Sequence, residues 1–238
     1  MAGGSLFGSG QPATESTTTL EREATDLNLE IVTIDKMYDL TLIVGTPEPP
    51  MRQKAFRVNK GSFRNASEVW TAMLSGNWVE SDLSEISFPE DSPYAFEIVL
   101  RIAHLQFHKQ PASLTQEQLV EIATLSDKYD LGRVICAAAE LKKWLQPYKG
   151  SGTLWPADID HQDFALITAA FGLEEDSQYL VNRLAMDIRV EEGSYYYIAE
   201  GTESNKIHLR PDLPAGIVGE CCESIQPFRK LTLRFSSD

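Results

Sequence analysis

His104 and His108 stand one helical turn apart in "AHLQFH", a spacing that sets two imidazoles on one helix face, where they can share a metal. The intervening "LQF" lacks the general-base glutamate that zinc hydrolases carry between such histidines, and His161 and His208 are remote in sequence. The pair therefore reads as two partly exposed surface histidines. Cys136, Cys221 and Cys222 form no C-x-x-C pair and cannot build a disulfide framework. Cys136 sits in the small apolar "VICAAAE" and reads as packing; the adjacent Cys221-Cys222 pair could form a redox element, but Cys221 lies at helical spacing from Ile217 and Ile225, which favours packing there too. The carboxylate pairs Glu90-Asp91, Glu174-Glu175 and Glu191-Glu192 fall at loops or helix starts, where acidic groups meet a favourable helix dipole. The glycine patterns that bring backbone up to a phosphate or expose a nucleophile on a sharp turn are missing, and "GSGTLW" matches none of them. The expectation is a protein without catalytic residues, metal or cofactor.

The composition is that of an ordinary folded chain, 42% hydrophobic and 24% charged over 238 residues, enough for one substantial core or two small ones. Its formal charge of -14 repels nucleic acid and anionic membrane, so neither is an expected partner. The one basic run, Arg52, Lys54, Arg57, Lys60 and Arg64 in "MRQKAFRVNKGSFR", reads as a solvated strand edge with Phe56 and Val58 on the opposite face. No apolar run is long enough to span a bilayer. The opening residues lack the charged and apolar blocks of a signal peptide, so the expected location is cytoplasm or nucleus.

Residues 1–26 are rich in Gly, Ser and Thr and are expected to be a disordered lead. "LNLEIVTI", "DLTLIVG" and "KAFRVN" read as neighbouring strands, followed by a helix in "SEVWTAML" capped by Ser67, with Val69, Trp70, Met73 and Leu74 on one side. "EISFP" alternates as a short strand. A helix through "YAFEIVLRIAHLQF" starts at Ser92 and Pro93 and carries a stripe of Phe96, Val99, Leu100, Ala103 and Phe107. Thr115 and Gln118 form a capping box for the next helix, with Leu119, Ile122, Ala123 and Ser126 inward, and "VICAAAELKKWL" makes another. These elements predict an α+β domain over 27–148 and a linker over 149–158. An all-helical region follows over 159–238, with helices in "HQDFALITAAF", "DSQYLVNRLAMDI" (Tyr179, Leu180, Leu184 and Ile188 in register) and "LPAGIVGECCESI". The segment around Tyr195 to Tyr197 shows no clear period.

The succession "YDLTLIVG", "KAFRVNKGSFRNASEVWTAMLSGNWVES", "EISFPEDSPYAFEIVLRIAHLQF" and "LVEIATLSDKYDL" resembles the BTB/POZ domain, specifically that of fungal BTB domain-containing proteins, over about residues 37–145. The resemblance implies a small mixed sheet capped by helical hairpins, and a non-enzymatic module that binds other proteins, often as a homodimer. In BTB adaptors of cullin-type ubiquitin ligases the loop after the "ML" helix carries a hydrophobic-x-Glu motif. Trp78, Val79 and Glu80 match it here, which implies a cullin scaffold as partner; Trp78 packed onto its own domain is the other reading. The charged pocket of transcriptional BTB domains would fall on Asp39 and Lys60. Asn59 stands where that pattern has histidine, and lysine lacks arginine's planar fork, which favours a structural salt bridge or simple solvation of the two charges over a pocket. The alternative implied function is a self-associating scaffold or transcriptional cofactor.

Overall fold

The computed structural model describes residues 29–48, 52–76, 79–150, 155–156, 159–191, 194–198 and 206–210. Three strands open it: β1 (Glu30–Thr33), β2 (Leu40–Val44) and β3 (Lys54–Val58). Two short helices follow, α1 (Lys60–Asn65) and α2 (Glu68–Met73), then a 3-10 turn over Val79–Asp82 and strand β4 (Glu85–Phe88). The sheet order is β1-β3-β2-β4, with β3 parallel to β1 and antiparallel to β2, and β2 parallel to β4. Leu42 lies opposite Phe56 on one side and Ile86 on the other, so the alternating apolar residues of three strands share one buried face.

β3 is thus an inner strand, which corrects the expectation that the basic run is a solvated edge. Ala55, Phe56 and Val58 are buried, Arg57 lies with its guanidinium 5.0 Å from the Tyr38 ring centroid, and Lys60 and Arg64 belong to α1. The run mixes a strand and a helix, so a single period-2 reading of it fails at Asn59, whose side chain caps α1 by accepting from the Ser62 N–H at 3.0 Å.

Helix α3 (Pro93–Ala103) lies on the sheet, followed by α4 (Gln116–Tyr129) and α5 (Gly132–Lys142). The predicted Ser92 cap and Thr115–Gln118 capping box both form. α3 stops short of the expected end at Phe107. Leu105 turns left-handed (φ 57°), and Leu105 N–H to Ile102 and Gln106 N–H to Arg101 at 2.7 Å close a Schellman turn. Asp130 and Lys143 end α4 and α5 the same way. A non-glycine residue in that conformation gives no sequence signal, because glycine is what the rule looks for. Val69, expected inward, is 42% exposed, while Trp70 is fully buried.

Beyond 149–158 the helices α6 (His161–Ala170) and α7 (Glu174–Asp187) form a hairpin packed on α4. Gly132 makes the approach possible at one point: a Cβ there would lie 3.1 Å from the Ala170 carbonyl oxygen. One hydrophobic cluster runs from Ile34 through Phe96, Leu119 and Ile135 to Phe164, Leu184 and Tyr197, so the residues on either side of 149–158 share a core. The all-helical expectation for 159–238 is corrected by a second, antiparallel sheet in the order β5-β6-β7, made of β5 (Ile188–Glu191), β6 (Ser194–Ile198) and β7 (Lys206–His208). Ile188 belongs to β5 and not to α7, and Tyr179 is 41% exposed. The three consecutive tyrosines hid the strand period: Tyr195 is exposed while Tyr196 and Tyr197 are buried. The sequence-predicted helix over "LPAGIVGECCESI" and its Cys221-Cys222 pair lie outside the described residues, as does the N-terminal lead.

Candidate partner-binding surface

The sheet topology dictates which loops meet. Because β3 is parallel to β1, antiparallel to β2, and β2 is parallel to β4, the ends of β1 and β3 lie beside the starts of β2 and β4. Asp39, Lys60, the Val79–Asp82 turn and the end of α3 therefore converge on one end of the sheet. Gln106 pins α3 there by donating its side-chain amide to the Ile34 carbonyl at 2.7 Å.

The two charged residues singled out in the sequence do meet, but through backbone. The Asp39 carboxylate accepts the Lys60 backbone N–H at 2.6 Å, so it satisfies a first-turn donor of α1. The Lys60 ammonium donates to the Ser81 carbonyl in the 3-10 turn. Asp39 is exposed and Lys60 half-buried. This geometry is a strut between loops, made through backbone groups.

Val79 and Glu80 begin the 3-10 turn, with Glu80 half-buried and its carbonyl accepting the Leu83 N–H at 3.3 Å. Trp78 lies outside the described residues. The turn leads directly into β4, since the Thr41 N–H donates to Ser84 at 2.9 Å and extends the β2–β4 ladder. Around it stand exposed carboxylates, Asp39, Asp82 and Glu85, and exposed Leu83.

The same end exposes two larger apolar groups that sequence reasoning passed over, Met37 at 81% and Leu105 at 77%. Met37 occupies the β1–β2 turn, where its N–H donates to the Asp35 carboxylate at 2.8 Å. Leu105 is the left-handed residue that ends α3. For a β-carbon-bearing residue that conformation costs about 1–2 kcal/mol, and the leucine side chain recovers little of it by burial. Asp130 and Lys143 carry the same backbone cost, but as polar residues suited to an exposed turn. Only an apolar pattern that runs past a helix end, as "HLQF" does, could have drawn attention to Leu105.

The histidine pair does not assemble. His104 caps α3, accepting the Asn59 N–H at Nε2 (3.1 Å) while Nδ1 faces the Leu100 carbonyl at 2.7 Å. An accepting Nε2 places the proton on Nδ1, so both nitrogens are engaged. His108 is exposed in a separate 3-10 turn, Phe107–Lys109. Among the described residues no group of three or more His, Cys, Asp or Glu is arranged to hold a metal, and no helix is long and apolar enough to cross a membrane. Cys136 is half-buried beside Asp127, Asp130 and Arg133, with its thiol pKa pushed up by burial and then by Glu140, which disfavours the thiolate. No protein-family model and no curated protein matches this sequence.

Proposed function

We propose that this protein is a non-enzymatic interaction module of the BTB type that recruits other proteins through the open end of its sheet, with a cullin scaffold as the partner. One observation carries the reading: the turn bearing Glu80 is held against a sheet end where Met37, Leu83 and Leu105 are left uncovered. An apolar centre rimmed by charge is the ordinary anatomy of a protein-binding patch. Trp78 would supply the aromatic anchor and Glu80 a polar contact beside it. Calorimetric titration of the full chain with a cullin N-terminal domain tests this. Micromolar or tighter binding, lost in a folded Trp78→Ala variant, supports the adaptor reading; no binding by the wild-type chain rejects it.

A second reading, self-association as a scaffold or transcriptional cofactor, is favoured by β1. Among the described residues it is an edge strand, with half-buried Ile31 and Val32 and a free row of backbone groups. Light scattering decides: a mass that rises with concentration supports pairing through β1, and a strict monomer at high micromolar protein excludes it.

A further inference from the structure

We infer that Lys60 is a positioning residue for the partner-binding turn, and that Asp39, Lys60 and Ser81 form one relay that fixes where Glu80 and Leu83 stand. The inference rests on the sheet-end reading above. The Val79–Asp82 turn is a single turn of 3-10 helix, closed at its C-terminal end by the Leu83 N–H donating to the Glu80 carbonyl at 3.3 Å. So short a helix cannot sustain itself, because nucleation fixes several dihedral angles for one hydrogen bond. Something outside must hold it.

One holding group is the Lys60 ammonium. The Ser81 carbonyl lies at the negative end of the 3-10 turn, where a cation is favoured, and a hydrogen bond from a charged donor is about twice as strong as a neutral one. A lysine side chain is flexible, so its reach is useful only if its root is fixed. Here the root is fixed twice. The Lys60 N–H is taken by the Asp39 carboxylate at 2.6 Å, and the preceding Asn59 both caps α1 and donates its N–H to His104. The start of β2, the start of α1 and the turn before β4 are thereby linked in series through the Lys60 side chain. A single carbonyl needs only one cationic donor on a long stem, and no planar fork is required.

The test uses the full chain with Lys60→Met and Lys60→Arg, read by hydrogen exchange and by titration with a cullin N-terminal domain. Lys60→Met should raise exchange of the Leu83 amide about tenfold, as expected for loss of a charge-assisted bond, while the β2 amides keep their protection and report an intact fold. Binding should weaken by about the same factor. Lys60→Arg, which keeps a cationic donor, should restore most of both. In a Glu80→Ala background, Lys60→Met should weaken binding by less than about threefold, because residues acting through one another are not additive. Unchanged Leu83 exchange in Lys60→Met overturns the inference, as does an equal binding loss with and without Glu80, which would make Lys60 an independent contact. If the wild-type chain does not bind the cullin domain, the partner proposal fails, yet the exchange arm still decides whether Lys60 holds the turn.

Discussion

Trp155 and Leu105 show how differently two regions of this molecule treat large apolar side chains. In the α6–α7 layer Trp155 and Tyr148 each lie 5.0 Å from the ring of Phe164, and each has its polar handle partnered: the Trp155 indole N–H donates to Asp176 at 2.9 Å, the Tyr148 hydroxyl to the Leu114 carbonyl at 2.7 Å. Lys149 covers the Trp155 ring and pairs with Asp176 at 2.7 Å. At the sheet end Leu105 is 77% exposed on a backbone conformation that disfavours it. The first region is completed by its own chain. The second carries a local cost without a local return, which is the pattern expected where a partner supplies the missing contacts.

The contrast breaks most visibly on truncation. Phe164→Ala should cost about 3–5 kcal/mol of stability in denaturant unfolding, since the ring is fully buried between two aromatics. It should leave the sheet-end loops as protected as before. Leu105→Ala, by comparison, should move stability by less than about 0.5 kcal/mol.

A smaller effect belongs to charge that holds the fold. Burial pushes the Glu97 carboxyl up, but the Arg101 hydrogen bond at 2.6 Å and the nearby Lys54 ammonium at 3.3 Å outweigh it, so its pKa is lowered. A carboxylate with a folded-state pKa below its unfolded value stabilises the fold above the unfolded pKa, and that contribution is lost as pH falls through the folded pKa. Glu97→Gln should therefore lower stability at neutral pH by about 1 kcal/mol. The gap to wild type should close on acidification through the carboxylate range, with no change in partner binding.

Leu105→Gly should act in opposite directions. Relief of the left-handed strain should raise stability by up to about 1 kcal/mol, even after glycine's added freedom in the unfolded chain. Binding of a partner at the sheet end should weaken all the same. A variant that is both more stable and a better binder would remove Leu105 from the interface. The smallest expected effect is on rate: Asp39, Asp82 and Glu85 are exposed around the turn, so added salt should slow association severalfold with a basic partner and change dissociation little.

Much of the helical framework was legible because it is written locally. Ser67, Ser92 and the Thr115–Gln118 box all cap where their types and spacing predict, and Trp70, Phe96 and Leu119 fall inward on helical period. Helix ends were harder, because Leu105, Asp130 and Lys143 adopt a conformation that only tertiary packing imposes. The second sheet was hidden by three tyrosines in a row, a pattern with no period to read. At the sheet end the residue types of Asp39 and Lys60 were visible, but their relation was not. A carboxylate bound to a backbone N–H leaves no trace in side-chain chemistry, and neither does an ammonium bound to a carbonyl two loops away.

The most direct test of the sheet end as the partner face is hydrogen exchange of the full chain, free and saturated with a cullin N-terminal domain. Protection gained over Met37–Asp39, Ser81–Glu85 and His104–Gln106, with the α6–α7 layer unchanged, is the predicted result. Protection confined to α6, α7 and the β5–β7 sheet would contradict it and move the interface to the region that looks complete.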